Sequence, residues 1–316
     1  MSTNPYKAFV PFLVTPCKPA TAIEDYEVTD PTAGDWRRVG LCEPMKGEGF
    51  IVDLQGAGKL MAVQFNERIL PGKVRDEQLA KEVVKVEQRD GRKISKKEFA
   101  QLREQVEFDL LPRAFIRRTV VPIIFVKADF GKQFMLVCTS SAKRADDCME
   151  VLLGAYPDLQ PTLLSVKGDV SSRLKTLAID GFLFDEDTQR DTGFFSHDSI
   201  ALKGNEKKVI RVKDKPIDDS DVQDLIKMAE YNVVEMGVQW HDKTAVDEGD
   251  DPLLSFTVNE HLIFKRIVTE GIKTTMLKED LFGYTVMCVA MYKQMLVRFI
   301  RAFGGLSGTP DEDDDL

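Results

Sequence analysis

Two stretches of this 316-residue chain gather cations in a molecule whose formal net charge is −9. Between Glu67 and Arg118 lie 14 basic and 10 acidic residues, with Arg89, Arg92, Lys93, Lys96 and Lys97 close together and Arg113, Arg117 and Arg118 following. The second stretch sets Lys203, Lys207, Lys208, Arg211, Lys213 and Lys215 against Glu206 and Asp214. Few aromatic side chains sit among these residues, so the chemistry on offer is phosphate contact rather than stacking on unpaired bases. Such contact gives affinity without sequence choice. A solvated face explains either run alone equally well. Two such runs on an acidic chain make a surface for a polyanion the sharper candidate. Ser140-Ser141-Ala142-Lys143-Arg144 adds a strand-to-helix junction where free amides with the two basic residues Lys143 and Arg144 could complete a phosphate site. An ordinary serine cap satisfies the same residues.

Catalysis needs a constellation, and the chain offers little. Asp185, Glu186 and Asp187, with Asp191 nearby, form a dense carboxylate group of the type that holds Mg²⁺ in nucleases. They sit in a polar, loop-like stretch beside Thr188, Gln189, Arg190 and Thr192. A second acidic group, Asp247, Glu248, Asp250 and Asp251, also reads as a loop. His197, His241 and His261 have no ligand spacing, and the five cysteines form no Cys-x-x-Cys pair. Gln55-Gly56-Ala57-Gly58-Lys59 lacks the glycine spacing and the Ser/Thr after lysine of a phosphate loop. The expectation is a protein without catalytic residues, metal or cofactor; a Mg²⁺-dependent exonuclease built on Asp185, Glu186 and Asp187 is the alternative.

The elements that must carry these cations are legible to a degree. Apolar segments flanking Gln55–Lys59 predict a β-hairpin. Leu79, Val83 and Val86 share one helical face, and Phe99, Leu102, Val106 and Leu110 share another. Arg89-Asp90-Gly91-Arg92 separates them, and Ser95-Lys96-Lys97-Glu98 has the form of a capping box. A helical hairpin follows, with its basic residues at the tip. Strands are expected at Tyr6–Thr15, Thr119–Lys127, Gln133–Cys138, Lys208–Lys213, Val233–Trp240 and Leu254–Val258. Helices are expected at Ala142–Leu153, near Ser172–Ala178, at Asp218–Ala229 and from about Lys278 to Phe303. In the last helix Gln294, Arg298 and Arg301 share a narrow polar face. Strands and helices mix irregularly, which predicts an α+β fold with mixed, mainly antiparallel sheets and a protruding helical hairpin. The expected organisation is a central α+β domain (1–72 with 112–170), a helical-hairpin tip (73–111), a second α+β domain with a long C-terminal helix (171–308), and a disordered acidic tail (309–316).

Composition is that of a globular protein, 43% apolar and 30% charged. The apolar run Leu281–Tyr292 is far shorter than the roughly 20 residues that span a bilayer, so no membrane partner is expected. An odd cysteine count and the lack of a signal-peptide pattern predict reduced thiols and a cytoplasmic location. The tail Asp311-Glu312-Asp313-Asp314-Asp315 carries five of the negative charges.

Particular strings go further than charge. Ile69-Leu70-Pro71, Arg92-Lys93, Leu110-Leu111-Pro112-Arg113-Ala114-Phe115, Val137-Cys138-Thr139-Ser140 with Lys143, Ala145 and Asp147, Val209-Ile210-Arg211, and Phe303-Gly304-Gly305 occur in that order. Together they make nearly the whole chain resemble the bacterial recombination-associated RdgC family. The resemblance implies a ring-shaped homodimer through which double-stranded DNA passes, nucleoid-associated, binding without sequence preference and restraining a RecA-type recombinase. By position, Phe115 resembles the aromatic that closes the ring, and Arg92, Lys93, Lys96 and Lys213 would line the DNA path. One departure is local: relatives have consecutive lysines where this chain has Lys213-Asp214-Lys215, which weakens the field there and leaves Lys215 as the substitute. The family also carries an exonuclease label, for which the residues give no chemical support.

Overall fold

The computed structural model describes residues 4–20, 22–128, 132–184, 191–204, 208–213, 215–241, 251–273 and 275–307, with the backbone alone at Asp191. The fold is α+β with two antiparallel sheets. The first sheet runs β2 (Arg37–Cys42), β4 (Lys59–Ile69), β5 (Phe115–Lys127), β6 (Gln133–Val137), β1 (Val10–Val14), β7 (Thr162–Leu163), with β3 (Val52–Asp53) also on β4. Its axis is the β4–β5 pair, in register from Lys59↔Phe125 to Ile69↔Phe115. Period-two alternation gives this sheet two apolar faces. Leu60, Ile124, Val126, Phe134 and Leu136 enter one core; Met61, Val63, Phe65, Val121, Ile123 and Phe125 enter the other. The second core is closed by α3 (Ala142–Ala155), whose Ala145, Cys148, Leu152 and Ala155 repeat at helical spacing and are buried.

The second sheet runs β10 (Val209–Lys213), β9 (Asp191–Gly204), β11 (Tyr231–Trp240), β12 (Leu254–Asn259), β13 (Phe264–Thr269), with β8 (Phe182–Phe184) also on β9. α4 (Val170–Asp180) and α5 (Ser220–Lys227) pack on β11. α7 (Leu281–Ala302) lies between the sheets. Its Tyr292 hydroxyl donates to the Tyr6 carbonyl at 2.7 Å and its ring meets Phe9 at 5.2 Å. Two turns later, Phe299 meets Phe194 of β9 at 5.5 Å and Phe264 of β13 at 5.3 Å. One apolar core therefore runs from the first sheet through α7 and the second sheet to α4.

Between β4 and β5 come α1 (Gly72–Asp90) and α2 (Lys96–Leu110). They touch along their length, with Arg75 near the start of α1 at 3.4 Å from Glu107 near the end of α2. Only Leu79 in α1 and Val106 in α2 are buried. Gly91, at φ 61°, ends α1 in the left-handed conformation that glycine adopts most readily. The predicted capping box is present, Ser95 accepting from the Glu98 amide and Glu98 accepting from the Ser95 amide.

Expectations for five elements are corrected. β2, β9 and β13 are strands that the residue pattern did not predict. β9 contains Gly193, Ser196, His197, Asp198 and Ser199, poor strand formers, and is held by pairing on both sides to β10 and β11. β2 contains Gly40, where an added Cβ would stand 2.7 Å from the Tyr26 carbonyl oxygen; small size lets that segment lie against the strand. β5 begins at Phe115 rather than Thr119, so Arg117 and Arg118 are strand residues. The long C-terminal helix is two: α6 (Met276–Glu279) stops at Asp280, whose side chain accepts from the Gly283 amide at 2.8 Å and caps α7. The turn at Gly56–Gly58 is where expected, and an added Cβ at Gly58 would overlap the Phe125 carbonyl oxygen.

Candidate nucleic-acid interface

Helix stop and start signals place the first cations. The last turn of α1, the turn that follows and the first turn of α2 hold Arg89, Arg92, Lys93, Lys96 and Lys97, all exposed. Two of the five are already neutralised. Arg89 Nε is 2.8 Å from Asp90, and Arg92 forms a two-nitrogen contact with Glu98. Arg92 is the main reason the Glu98 carboxyl is held far below the usual carboxylate range, with the Ser95 amide and hydroxyl adding to it. Lys93, Lys96 and Lys97 make no ion pair among the described residues. Three ammonium groups therefore face solvent on a capped turn.

Arg113, Arg117 and Arg118 do not belong to that group. They lie where α2 returns to the first sheet, separated from the turn by that 15-residue helix, about 22 Å long at 1.5 Å per residue. Arg117 pairs with Glu67 at 2.9 Å and Arg118 with Asp30 at 2.9 Å. Arg113 makes no ion pair among the described residues. The residue that fixes this region is Arg68, which sequence reasoning passed over. Its guanidinium donates to the carbonyls of Leu111, Pro112, Ala114, Pro31 and Thr32 at 2.8 to 3.4 Å. Beside it Phe115 is 83% exposed and Phe108 63% exposed, in a molecule whose other large apolar groups are mostly buried.

At the start of α3, Ser141 accepts from the Arg144 amide, so the serine cap takes one of the amides a phosphate would use. Arg144 turns to Glu67 at 3.4 Å and lies over the Phe65 ring at 4.7 Å. Lys143 makes no ion pair among the described residues.

The second cationic stretch divides. Lys207 and Asp214 lie outside the described residues. Lys208 has a partner within the fold. Lys215 is 2.7 Å from Asp219 and 3.3 Å from Asp221, so it is occupied rather than free to replace a neighbouring lysine. Arg211 and Lys213 stand on the exposed face of β10, and Arg211 reaches Glu235 of β11 at 3.6 Å. Two further cations, Lys265 and Arg266 of β13, also meet Glu235, at 2.9 and 3.3 Å. Sequence reading missed them because β13 itself was missed. A third cationic surface flanks α7, where Lys127, Lys293, Arg298 and Arg301 line a groove of about 610 Å³ beside Gly56 and Ala57. Its polar helix face was visible in the sequence; its closure by Lys127 and the β3–β4 turn was not.

Asp185, Glu186, Asp187 and Asp247 to Asp250 lie outside the described residues. Among the described residues no group of three or more His, Cys, Asp or Glu is disposed to hold a metal ion. His261 lies beside Glu260 at 3.8 Å. Burial pushes the Cys42 and Cys288 thiols up to about 11 and Cys148 up to about 12, away from nucleophilic thiolate. Among the described residues no helix is long and apolar enough to cross a membrane.

The class these features define is an α+β protein presenting several separate cationic faces and an exposed aromatic. Residues 3–304 match the family model described as "Putative exonuclease, RdgC", and the chain belongs to that family, a family of recombination-associated proteins. It is 31% identical over 227 residues to the recombination-associated protein RdgC of Pseudomonas aeruginosa (strain LESB58), covering 70% of this chain and 66% of that one. The corresponding protein of Pseudomonas syringae pv. syringae (strain B728a) is 28% identical over 271 residues, 83% of this chain and 78% of the other. That of Proteus mirabilis (strain HI4320) is 29% identical over 212 residues, 66% and 67% of the two.

Proposed function

We propose that this protein acts in DNA recombination by binding double-stranded DNA without sequence preference and without catalysis. In this reading α1 and α2 form a protruding hairpin, and two copies close into a nucleoid-associated ring through which the duplex passes, restraining a RecA-type recombinase. The observation that carries the reading is the exposed trio Lys93, Lys96 and Lys97, unpaired beside two arginines that are each neutralised in place. Point charges of this kind contact phosphates and do not read base edges. The exposed Phe115, on the strand beside the hairpin, supports self-association, because a large aromatic left in water gains most from burial against a second copy. Enclosure of the duplex lets modest contacts suffice while acidic residues elsewhere keep the particle in solution.

Replacing Lys93, Lys96 and Lys97 together by alanine is expected to weaken duplex binding by the same factor for unrelated sequences. It is also expected to flatten the salt dependence, each lost phosphate contact lowering the log–log slope by about 0.9. An unchanged slope counts against the hairpin as a DNA contact. Incubation with end-labelled duplex and Mg²⁺ is expected to leave the label on full-length strands; its release overturns the non-catalytic reading. A gel shift that retains no duplex overturns DNA binding altogether and leaves a protein-only inhibitor.

A further inference from the structure

The outer face of the second sheet gathers cations around a single carboxylate. Cross-strand register sets the pattern: Arg211 is opposite Ala201, Ala201 opposite Glu235, and Lys213 opposite Ser199, while Gly237 is opposite Thr257 and Thr257 opposite Lys265. Small residues thus floor the middle strands, with Arg211 and Lys213 on the β10 rim and Lys265 and Arg266 on the β13 rim. Gly237 is required for that floor, since an added Cβ would come within 2.8 Å of the Ser199 hydroxyl.

From opposite rims, Arg211 Nη1 and Arg266 Nη2 reach the same oxygen of Glu235, at 3.6 and 3.3 Å, while Lys265 takes the other at 2.9 Å. Glu235 is 15% exposed and meets three cations at once; Lys213 beside them makes no ion pair among the described residues. Asp198, a further carboxylate on β9, stands 3.5 Å from His197. Arg266 occupies φ 52°, the left-handed region that a side-chain-bearing residue rarely adopts, next to a register shift between β12 and β13. Strain of that kind persists where the surroundings over-determine it, and it gathers at binding sites. Here it turns a third cation towards an already crowded carboxylate.

Four cations against two carboxylates, Glu235 and Asp198, still leave an excess of positive charge, which is the electrostatic condition for holding an anion. The space enclosed by Ser199, Arg211, Lys213, Glu235 and Arg266 is about 10 Å³, room for a water and too little for a phosphate ion. A ligand therefore lies across the row, touching successive cations, as a chain of phosphates does. We infer that Arg211, Lys213, Lys265 and Arg266 form a second phosphodiester-binding row on the second sheet, separate from the α1–α2 turn, with Glu235 as the residue that positions three of them. This rests on the nucleic-acid reading above and extends it to Lys265, Arg266 and Glu235.

The test is the double substitution Lys213→Gln with Arg266→Gln, which leaves the Arg211–Glu235 and Lys265–Glu235 pairs in place so that the sheet keeps its supports. Binding to a fluorescent duplex and to a single strand of equal length is measured by anisotropy over a salt series, with circular dichroism confirming the fold. The expected result is a log–log slope for duplex lower by about 1.8, two contacts' worth. A fall of about 1.4 on single strand, the same two contacts at about 0.7 each, assigns the row to the sugar–phosphate chain in general, and a fall on duplex alone assigns it to paired strands; either supports the inference. An unchanged slope on both, in a folded variant, overturns it. If the Lys93, Lys96 and Lys97 variant still loses slope, the row alone has failed. If wild-type protein binds neither nucleic acid, the broader reading has failed and the row with it.

Discussion

Glu98 shows how one side chain joins local structure to function. It closes the capping box of α2 and neutralises Arg92, which leaves Lys93, Lys96 and Lys97 as the available charges on that turn. Arg92 and Ser95 depress its carboxyl, so its stabilising effect is complete above the ordinary value near 4.5 and lost only as pH falls through the much lower folded value. An NMR titration is expected to find the Ser95 amide still protected at about pH 4, where exposed carboxylates are half titrated. Arg92→Ala is expected to move the Glu98 midpoint upward. A Glu98 midpoint at the ordinary value in the native protein would show that the cap is not formed in solution. The sequence disclosed this box through its Ser-x-x-Glu spacing. It did not disclose that Arg92, a DNA-contact candidate by resemblance, is committed to the cap, because an ion pair across a turn depends on side-chain direction rather than on spacing.

At the scale of elements, helices were the more legible and strands the less. α1, α2 and α3 carry apolar residues at helical spacing and clear boundaries in Gly91, Ser95 and Ser141, so their positions could be read directly. β9 and β13 are strands by virtue of their neighbours, and missing β13 hid Lys265 and Arg266 from the candidate site. The mispositioned start of β5 likewise grouped Arg117 and Arg118 with a turn that lies a full helix length away. α7 was read correctly as buried, but its role as the shared packing partner of both sheets emerges only in three dimensions. Leu296, fully buried on α7, offers a test of that role. Leu296→Ala is expected to cost about 2–5 kcal/mol. Hydrogen exchange should report the loss equally in β5 of the first sheet and β11 of the second. Protection lost in one sheet alone would mean that the two fold as separate units.

For the whole molecule, the charge arrangement is compatible with the proposed polyanion partner despite an overall −9: among the described residues cations are gathered at the α1–α2 turn, on the second sheet and beside α7. Self-association is the remaining requirement of the proposed ring. Phe115→Ala is expected to weaken it by about 2–4 kcal/mol if the ring is buried in the contact. Sedimentation that finds the same association constant for the variant would remove Phe115 from the interface. α7 ties both sheets of the chain into one core. A closed circular duplex has no end to thread, so loading the proposed ring onto a plasmid or chromosome would require opening a joint between subunits, such as one near Phe115. For such a ring the lifetime on circular DNA would be set by the dissociation rate of that joint, and on linear DNA by sliding to an end.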